Sequence, residues 1–179
     1  MRHGVKTLAF IGFSNALGDA FWDEVSKAAE KNGLKVVGNE RYAPTDTSVT
    51  GQILKLVSAN PDAVVVGASG TPAALPATAL AQRGYKGKVY FNHGVSNADF
   101  VRVCGGACEN AYVPTGPVMV AAALPENHPV KRQATDFVNA YEGKYGAGTV
   151  SIFAAYTADA GLLLQQAVPQ EEDDPRALR

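Results

Sequence analysis

Short apolar runs alternate with amphipathic stretches along the first two thirds of the chain. Each apolar run ends at a glycine, a polar residue or a turn signal, which is typical of a buried strand. The runs predicted as strands are Thr7–Ile11, Leu34–Val37, Ala63–Val66, Val89–Phe91 and a segment that begins at Ala111. The stretches between them, with apolar residues at helical spacing, are Phe21–Ala29, Val49–Val57, Pro72–Arg83 and Asn97–Val103. This alternation predicts right-handed βαβ crossovers, and hence an α/β fold with an open parallel sheet of about five strands and helices on both faces.

The third run, Ala63–Val66, contains no polar alternation, which favours a strand buried on both faces of a parallel sheet. We expect the flavodoxin-like strand order 2-1-3-4-5, in which the carboxyl ends of the first and third strands flank a crevice.

The pattern changes at Pro125. The stretch ENHPVKRQATDFVNAYEGKYGAG predicts an amphipathic helix, and Ser151–Val168 predicts a second helix that is apolar on nearly every side. A helix of that kind favours burial against more than one neighbour. We therefore expect an α/β lobe over residues 5–124, a helical segment over 125–168 and a frayed tail over 169–179.

Small and polar residues follow the predicted strands at the edge where a parallel sheet binds ligands. The candidate ligand-binding residues are Asn15, Leu17, Ser69, Gly70, Thr71, His93 and Gly94. In the stretch VVVGASGTP, Gly67 and Gly70 allow close approach of the backbone to a ligand, and the hydroxyls of Ser69 and Thr71 can form hydrogen bonds with it. The alternative is an ordinary turn, because glycine and serine commonly follow strands without any ligand. His93 fits a ligand contact and a loop cap equally well.

Composition places the chain among globular proteins. It has 179 residues, of which 46% are hydrophobic and 18% charged, with a net charge of −1. This balance offers no electrostatic surface for nucleic acid or for an anionic membrane. The start, MRHGVKTLAFIGF, predicts a first strand rather than a signal peptide, because it runs straight into polar residues without a cleavage motif.

Two cysteines, Cys104 and Cys108, stand in the stretch VCGGACEN. A zinc site is not expected, because the chain has no second cysteine pair and no histidine near the first. The spacing leaves two alternatives: a disulfide in an oxidising compartment, or two free thiols in a loop.

The motifs of common α/β enzymes are missing. The first strand-to-helix turn reads GFSNALG rather than a dinucleotide fingerprint, and no P-loop or G-x-S-x-G elbow is present. We therefore expect a protein that is not an enzyme and that uses no cofactor and no metal. The competing hypothesis is a flavodoxin-like nucleotide-binding or enzymatic α/β domain, since it shares the predicted sheet.

Several stretches over roughly residues 5 to 168 carry a resemblance to a known family. They are KTLAFIGFSNALGDAFWDEVSKAAEKNGLKVV, the helix start at Asp46-Thr47-Ser48, Pro61–Gly67, Gln82–Gly87 and HPVKRQATDFVNAYEGKYG with the alanine-rich helix after it. Together they resemble the second lobe of a type I periplasmic binding protein of the branched-chain amino acid class that feeds ABC transporters. The resemblance implies a periplasmic, two-lobed clamp that closes on an amino acid or small carboxylate and delivers it to a transporter permease.

The resemblance also implies two departures at the ligand. Where the family has a Tyr-Gly pair after the first strand, this chain has Leu17-Gly18, and where the family often has an acid before glycine, it has His93-Gly94. Loss of the acid weakens the case for a ligand α-amino group and leaves room for an aromatic or aliphatic carboxylate.

The family's first lobe and its closing segment have no counterpart here, so the resemblance implies a truncated module. Its two C-terminal helices would then expose apolar side chains, which mark interfaces, and we expect a homodimer through them.

Overall fold

The computed structural model describes residues 4–109 and 111–167. Its strands are β1 (Thr7–Phe13), β2 (Lys35–Tyr42), β3 (Ala63–Gly67), β4 (Lys88–Phe91) and β5 (Ala111–Tyr112). Its α-helices are α1 (Ala16–Lys31), α2 (Thr50–Ser58), α3 (Ala74–Gln82), α4 (Ala98–Cys104), α5 (Lys131–Tyr145) and α6 (Ile152–Ala167). Short 3₁₀ turns cover Thr71–Ala73, His93–Val95, Gly105–Cys108 and Pro117–Ala123.

The five strands form one parallel sheet in the order β2-β1-β3-β4-β5. This confirms the predicted α/β class, the parallel pairing and the flavodoxin-like order. The fifth strand is much shorter than the apolar run that begins at Ala111. Prolines at 114 and 117 explain this, because proline cannot donate to a strand ladder.

Helices cover both faces of the sheet. The main core lies between the sheet and α2, α3 and α4, and it includes the fully buried Ile11, Ile53 and Leu80. A smaller cluster of Leu8, Ala29 and Ala63 lies on the α1 side. The alternation of side chains along β1 assigns odd-numbered residues to the main core and even-numbered residues to the α1 side.

Local sequence signals explain the bounds of α1. Asn15 has extended backbone and caps the helix start, and Gly33 follows the helix with a φ of 66° that glycine adopts without strain. The pair Asn32-Gly33 therefore ends the helix.

The chain divides into two compact units, Met1–Thr115 and Gly116–Arg179. The domain limits expected from the sequence, 5–124 and 125–168, stay predictions, and the expected tail at 169–179 lies outside the described residues. Of the two alternatives for the cysteines, the structure shows the disulfide between Cys104 and Cys108. In the described ranges, no helix has the length and apolar character needed to cross a bilayer.

Candidate functional site

The carboxyl ends of the strands meet along one edge of the sheet. In the parallel register, Phe13 of β1 lies beside Tyr42 of β2, Gly12 lies beside Gly67 of β3, and Val66 lies beside Phe91 of β4. The segments that follow β1, β3 and β4 therefore emerge next to one another. We call residues 14–17, 68–71 and 92–94 the carboxyl edge; it contains every binding residue predicted from the sequence.

The first segment of the carboxyl edge is fixed by the start of α1. The Asn15 side-chain oxygen accepts hydrogen bonds from the Leu17 N–H at 3.1 Å and the Gly18 N–H at 3.2 Å. Its carboxamide oxygen is thus engaged in capping, while the Leu17 side chain remains 40% exposed. Gly18 is obligatory here, because a Cβ on it would lie 1.9 Å from the Phe13 carbonyl oxygen.

The second and third segments are held together by Asn92, a residue that sequence analysis missed. Its side chain donates to the Ala68 carbonyl at 2.5 Å and accepts from the Gly94 N–H at 2.7 Å. The Gly70 N–H donates in turn to the Gly94 carbonyl at 3.0 Å. A polar amide placed directly after an apolar strand, and before His-Gly, was the signal that could have found this turn.

Gly94 is required by the closeness of the two segments. A Cβ there would meet the Ser69 Cβ at 2.9 Å and the Asn92 side-chain oxygen at 2.7 Å. Gly70 has a φ of 63°, so the chain turns there in a conformation that favours glycine. Both glycines serve the shape of the carboxyl edge.

Gly67 has a different role from the one expected. It is buried, and a Cβ on it would lie 2.4 Å from the ring of Phe10 on the α1 side. Its small size is needed for packing inside the protein rather than for approach to a ligand. Gly12, its register partner, faces the same ring.

Tyr42 fixes the neighbouring part of the edge at the end of β2. Its hydroxyl donates to the Pro72 carbonyl at 3.1 Å, and its ring packs edge-on against Phe13 with centroids 5.2 Å apart. Burial raises the pKa of Tyr42 well above its usual value, so the hydroxyl keeps its proton and remains a donor. This contact anchors the turn at Thr71–Ala73.

The polar groups of the carboxyl edge carry little negative charge. Residues 13–18, 67–72 and 92–96 include no aspartate or glutamate. Nearby Asp19 lies 3.5 Å from Arg41, and Asp46 accepts a hydrogen bond from the Ala43 N–H at 2.8 Å. The exposed residues at the edge are Ser14, Asn15, Ala16, Leu17, Thr71 and His93.

Each unit also has a cavity away from the carboxyl edge. An apolar cavity of about 370 Å³ lies between α1 and the amino ends of the strands, where Leu8, Leu34 and Ala63 line it. In the second unit, a groove of about 520 Å³ is lined by apolar residues of α5 and α6, including Phe137, Ile152 and Leu162. Among residues 4–109 and 111–167 no cluster of three or more histidine, cysteine or acidic side chains could hold a metal ion.

A family model described as "Periplasmic binding protein" matches residues 1–179 of the chain. No curated protein sequence matches the chain.

Solved structures that resemble this chain belong to the same class of ligand-binding proteins. An extracellular ligand-binding receptor from Rhodopseudomonas palustris is 45% identical with a TM-score of 0.87, and the match covers 94% of this chain and 47% of that one. A protein described as a branched-chain amino acid ABC transporter from Rhodospirillum rubrum is 27% identical with a TM-score of 0.74, over 96% of this chain and 47% of that one. A leucine binding protein from Thermotoga maritima shares the fold, with 21% identity and a TM-score of 0.77 over 93% and 45% of the two chains.

This chain therefore spans about half the length of the structures it matches. The family model covers the whole of it, and the strand order and the extent of the structural match agree with that assignment. The chain belongs to the type I periplasmic binding protein family.

Proposed function

We propose that this chain supplies one ligand-contacting lobe of the solute-binding component of an ABC transporter. The observation that carries the proposal is the carboxyl edge, where the segments after β1, β3 and β4 lie side by side. In open parallel sheets, ligands bind in the crevice at this edge. The residues proposed to contact the ligand are Asn15, Leu17, Ser69, Gly70, Thr71, His93 and Gly94.

The chemistry of the edge favours a small carboxylate over an amino acid. The hydroxyls at 69 and 71 and the His93 side chain are groups that can donate to an anion. The turn at Thr71–Ala73 leads directly into α3, so the positive end of the helix dipole faces the same side. A ligand ammonium would find no carboxylate in these segments, and its desolvation would go uncompensated.

The neighbours with transport and extracellular receptor descriptions support a permease partner and a periplasmic location for this chain. We propose that the α/β lobe over residues 5–124 faces the ligand. The helical segment over 125–168 would pack against a lobe that corresponds to the other half of the relatives' length.

The second unit supports a homodimer as the state of this chain by itself. Leu162, Leu163 and Leu164 of α6 are each more than half exposed, and Phe153 is 50% exposed. Contiguous exposed apolar side chains of this kind mark association surfaces. A second copy that covers α6 would remove them from water.

The experiment is a titration of the chain, labelled with ¹⁵N, by two ligands that differ only in an amine: leucine and 4-methylpentanoate. We expect the amide signals of Ser69, Gly70 and Gly94 to move with the carboxylate, and more weakly with leucine. Affinity in the millimolar range is expected, because a site usually buries most of a small ligand and half a clamp cannot. Ser69→Ala should weaken the response, whereas Ser58→Ala, at the end of α2, should not.

Shifts confined to residues away from the carboxyl edge would overturn the proposed site. Stronger binding of leucine than of 4-methylpentanoate would leave the site in place and refute the preference for a carboxylate without an amine. Submicromolar affinity by a monomer would contradict the half-clamp interpretation.

A further inference from the structure

The short connection between α4 and β5 contains the two cysteines of the chain. Cys104 is the last residue of α4 and is 4% exposed within the main core. Cys108 ends the 3₁₀ turn Gly105–Cys108 and is half-buried. Their sulfurs are bonded, and their Cα atoms lie 5.6 Å apart at a sequence separation of 4. The disulfide thus closes a small covalent loop at the end of a helix.

Residues 101–109 pack on the main core through Cys104, Ala107 and Cys108, so two of these three inward-packed side chains are the bonded cysteines themselves. α4 has 7 residues, a length at which a helix depends on its surroundings. Its outer side exposes Val101 and Val103, and the turn after it has glycine at 105 with a φ of 48°. The Glu109 N–H closes the turn by donating to the Gly106 carbonyl at 3.3 Å, which is a long bond.

The two ends of the connection differ in how firmly they are attached. At the start of α4, the Asn97 side chain accepts from the Phe100 N–H at 2.8 Å, and the Phe100 ring packs edge-on against Phe91 at 5.1 Å. At the other end, β5 pairs only through Ala111 and Tyr112 with β4. The part that depends on the disulfide is therefore residues 101–109.

We propose that the Cys104–Cys108 disulfide is a redox clip for residues 101–109. When it is closed the connection is ordered, and when it is reduced the connection opens locally while the sheet stays folded. The site fits a small thiol or a thiol–disulfide exchange protein, because exposed Gly106 and Glu109 flank the Cys108 side while Cys104 is buried.

The reaction is ordinary thiol–disulfide exchange. A thiolate attacks the Cys108 sulfur, the bond between the two protein sulfurs breaks, and the Cys104 sulfur leaves and takes up a proton from water. A second thiol attacks the mixed disulfide, which releases the Cys108 thiol and forms the external disulfide. Two electrons pass from the two external thiols to the protein, and oxidised glutathione reverses the process.

The test is amide hydrogen exchange followed by mass spectrometry, on the chain with and without dithiothreitol. We expect exchange over residues 101–109 to become at least about tenfold faster on reduction, and exchange over β1 and β3 to change by less than about twofold. The double variant Cys104→Ser/Cys108→Ser should exchange fast over 101–109 in both buffers and should not respond to the reductant. Alkylation after incubation with oxidised glutathione should find no free thiol.

Three results would overturn the proposal. Equal exchange over 101–109 in the two redox states would show that the disulfide holds nothing in place. Faster exchange across β1 and β3 as well would show a brace for the whole lobe rather than a local clip. Two alkylated thiols after the oxidant would show that the pair does not close.

Discussion

Replacing Asn92 with alanine tests the bracing of the carboxyl edge directly. Asn92 is buried, with 9% of its surface exposed, and it makes two hydrogen bonds. One crosses to the Ala68 carbonyl after β3, and the other is accepted from the Gly94 N–H within its own segment after β4. Truncation leaves the Ala68 carbonyl and the Gly94 N–H buried without these partners, since both residues are themselves buried. Each such group costs about 1–3 kcal/mol, so we expect Asn92→Ala to lower the free energy of unfolding by about 2–6 kcal/mol.

Asn15→Ala is the matched control. Asn15 also makes two side-chain hydrogen bonds, here accepted from two backbone N–H groups, but Asn15 and Leu17 are exposed, so water replaces the lost acceptor at the Leu17 N–H. Loss of a helix cap of this kind costs about 1 kcal/mol. The two variants therefore remove the same number of hydrogen bonds and differ in burial.

The assay is urea unfolding of each chain followed by the fluorescence of Trp22, the only tryptophan. This ring lies in α1 with its centroid 5.4 Å from that of Phe10, so its emission reports on the first unit. The transition midpoint should fall with an unchanged slope, because the surface exposed on unfolding is the same. A loss in Asn92→Ala no larger than that in Asn15→Ala would refute the bracing role.

Three further predictions test other parts of the structure. Gly18→Ala should destabilise the chain by about 3 kcal/mol or more, because the added Cβ would overlap the Phe13 carbonyl. Gly51→Ala, in α2 with open space around it, should stabilise the chain by about 0.5 kcal/mol. Urea unfolding measures both changes in stability, and equal effects would contradict the geometry. Burial, with a smaller contribution from a nearby carboxylate, raises the pKa of Tyr85 from 10.0 to about 12. Its contribution to stability is therefore fully present below pH 10 and is lost as the pH rises through 12, so Tyr85→Phe should reduce the fall of the unfolding free energy over that window, in which Tyr42 still contributes. A variant as pH-dependent as the original chain would refute the assignment. Leu163→Glu, on the exposed side of α6, should convert the proposed dimer to a monomer in light scattering, and a chain that is already monomeric at high concentration would remove the basis for it.

The α/β alternation could be predicted because it depends on local patterns. The strand at Ala63–Gly67 reads as continuously apolar, and the end of α1 at Gly33 has a specific backbone conformation. The strand order also followed, since crossover rules leave few alternatives. The extent of β5 could not be predicted from apolar character alone, because a strand ends where its neighbour stops pairing, here after Tyr112.

The candidate site, like the fold, could be predicted only in part. Its position at the carboxyl edge followed from the parallel sheet, but the role of Asn92 depends on a contact with Ala68 across 24 positions of sequence. Gly67 illustrates the reverse case, since it resembles a ligand-loop glycine in sequence yet gives room to the Phe10 ring on the far side of the strand. Contacts between strands decide both, and no short window of sequence contains them.

The bracing of the carboxyl edge bears on the affinity expected of the proposed site. The Gly70–Gly94 backbone bond, the Asn92 bridge and the Asn15 cap fix the turns before any ligand arrives. The entropy of ordering these segments is therefore part of folding and does not count against binding. Weak affinity would then come from the small area that one lobe can cover, not from disorder at its edge. Under this reasoning, further rigidity at the edge gains nothing, whereas any added surface that closes over the ligand raises affinity through burial alone.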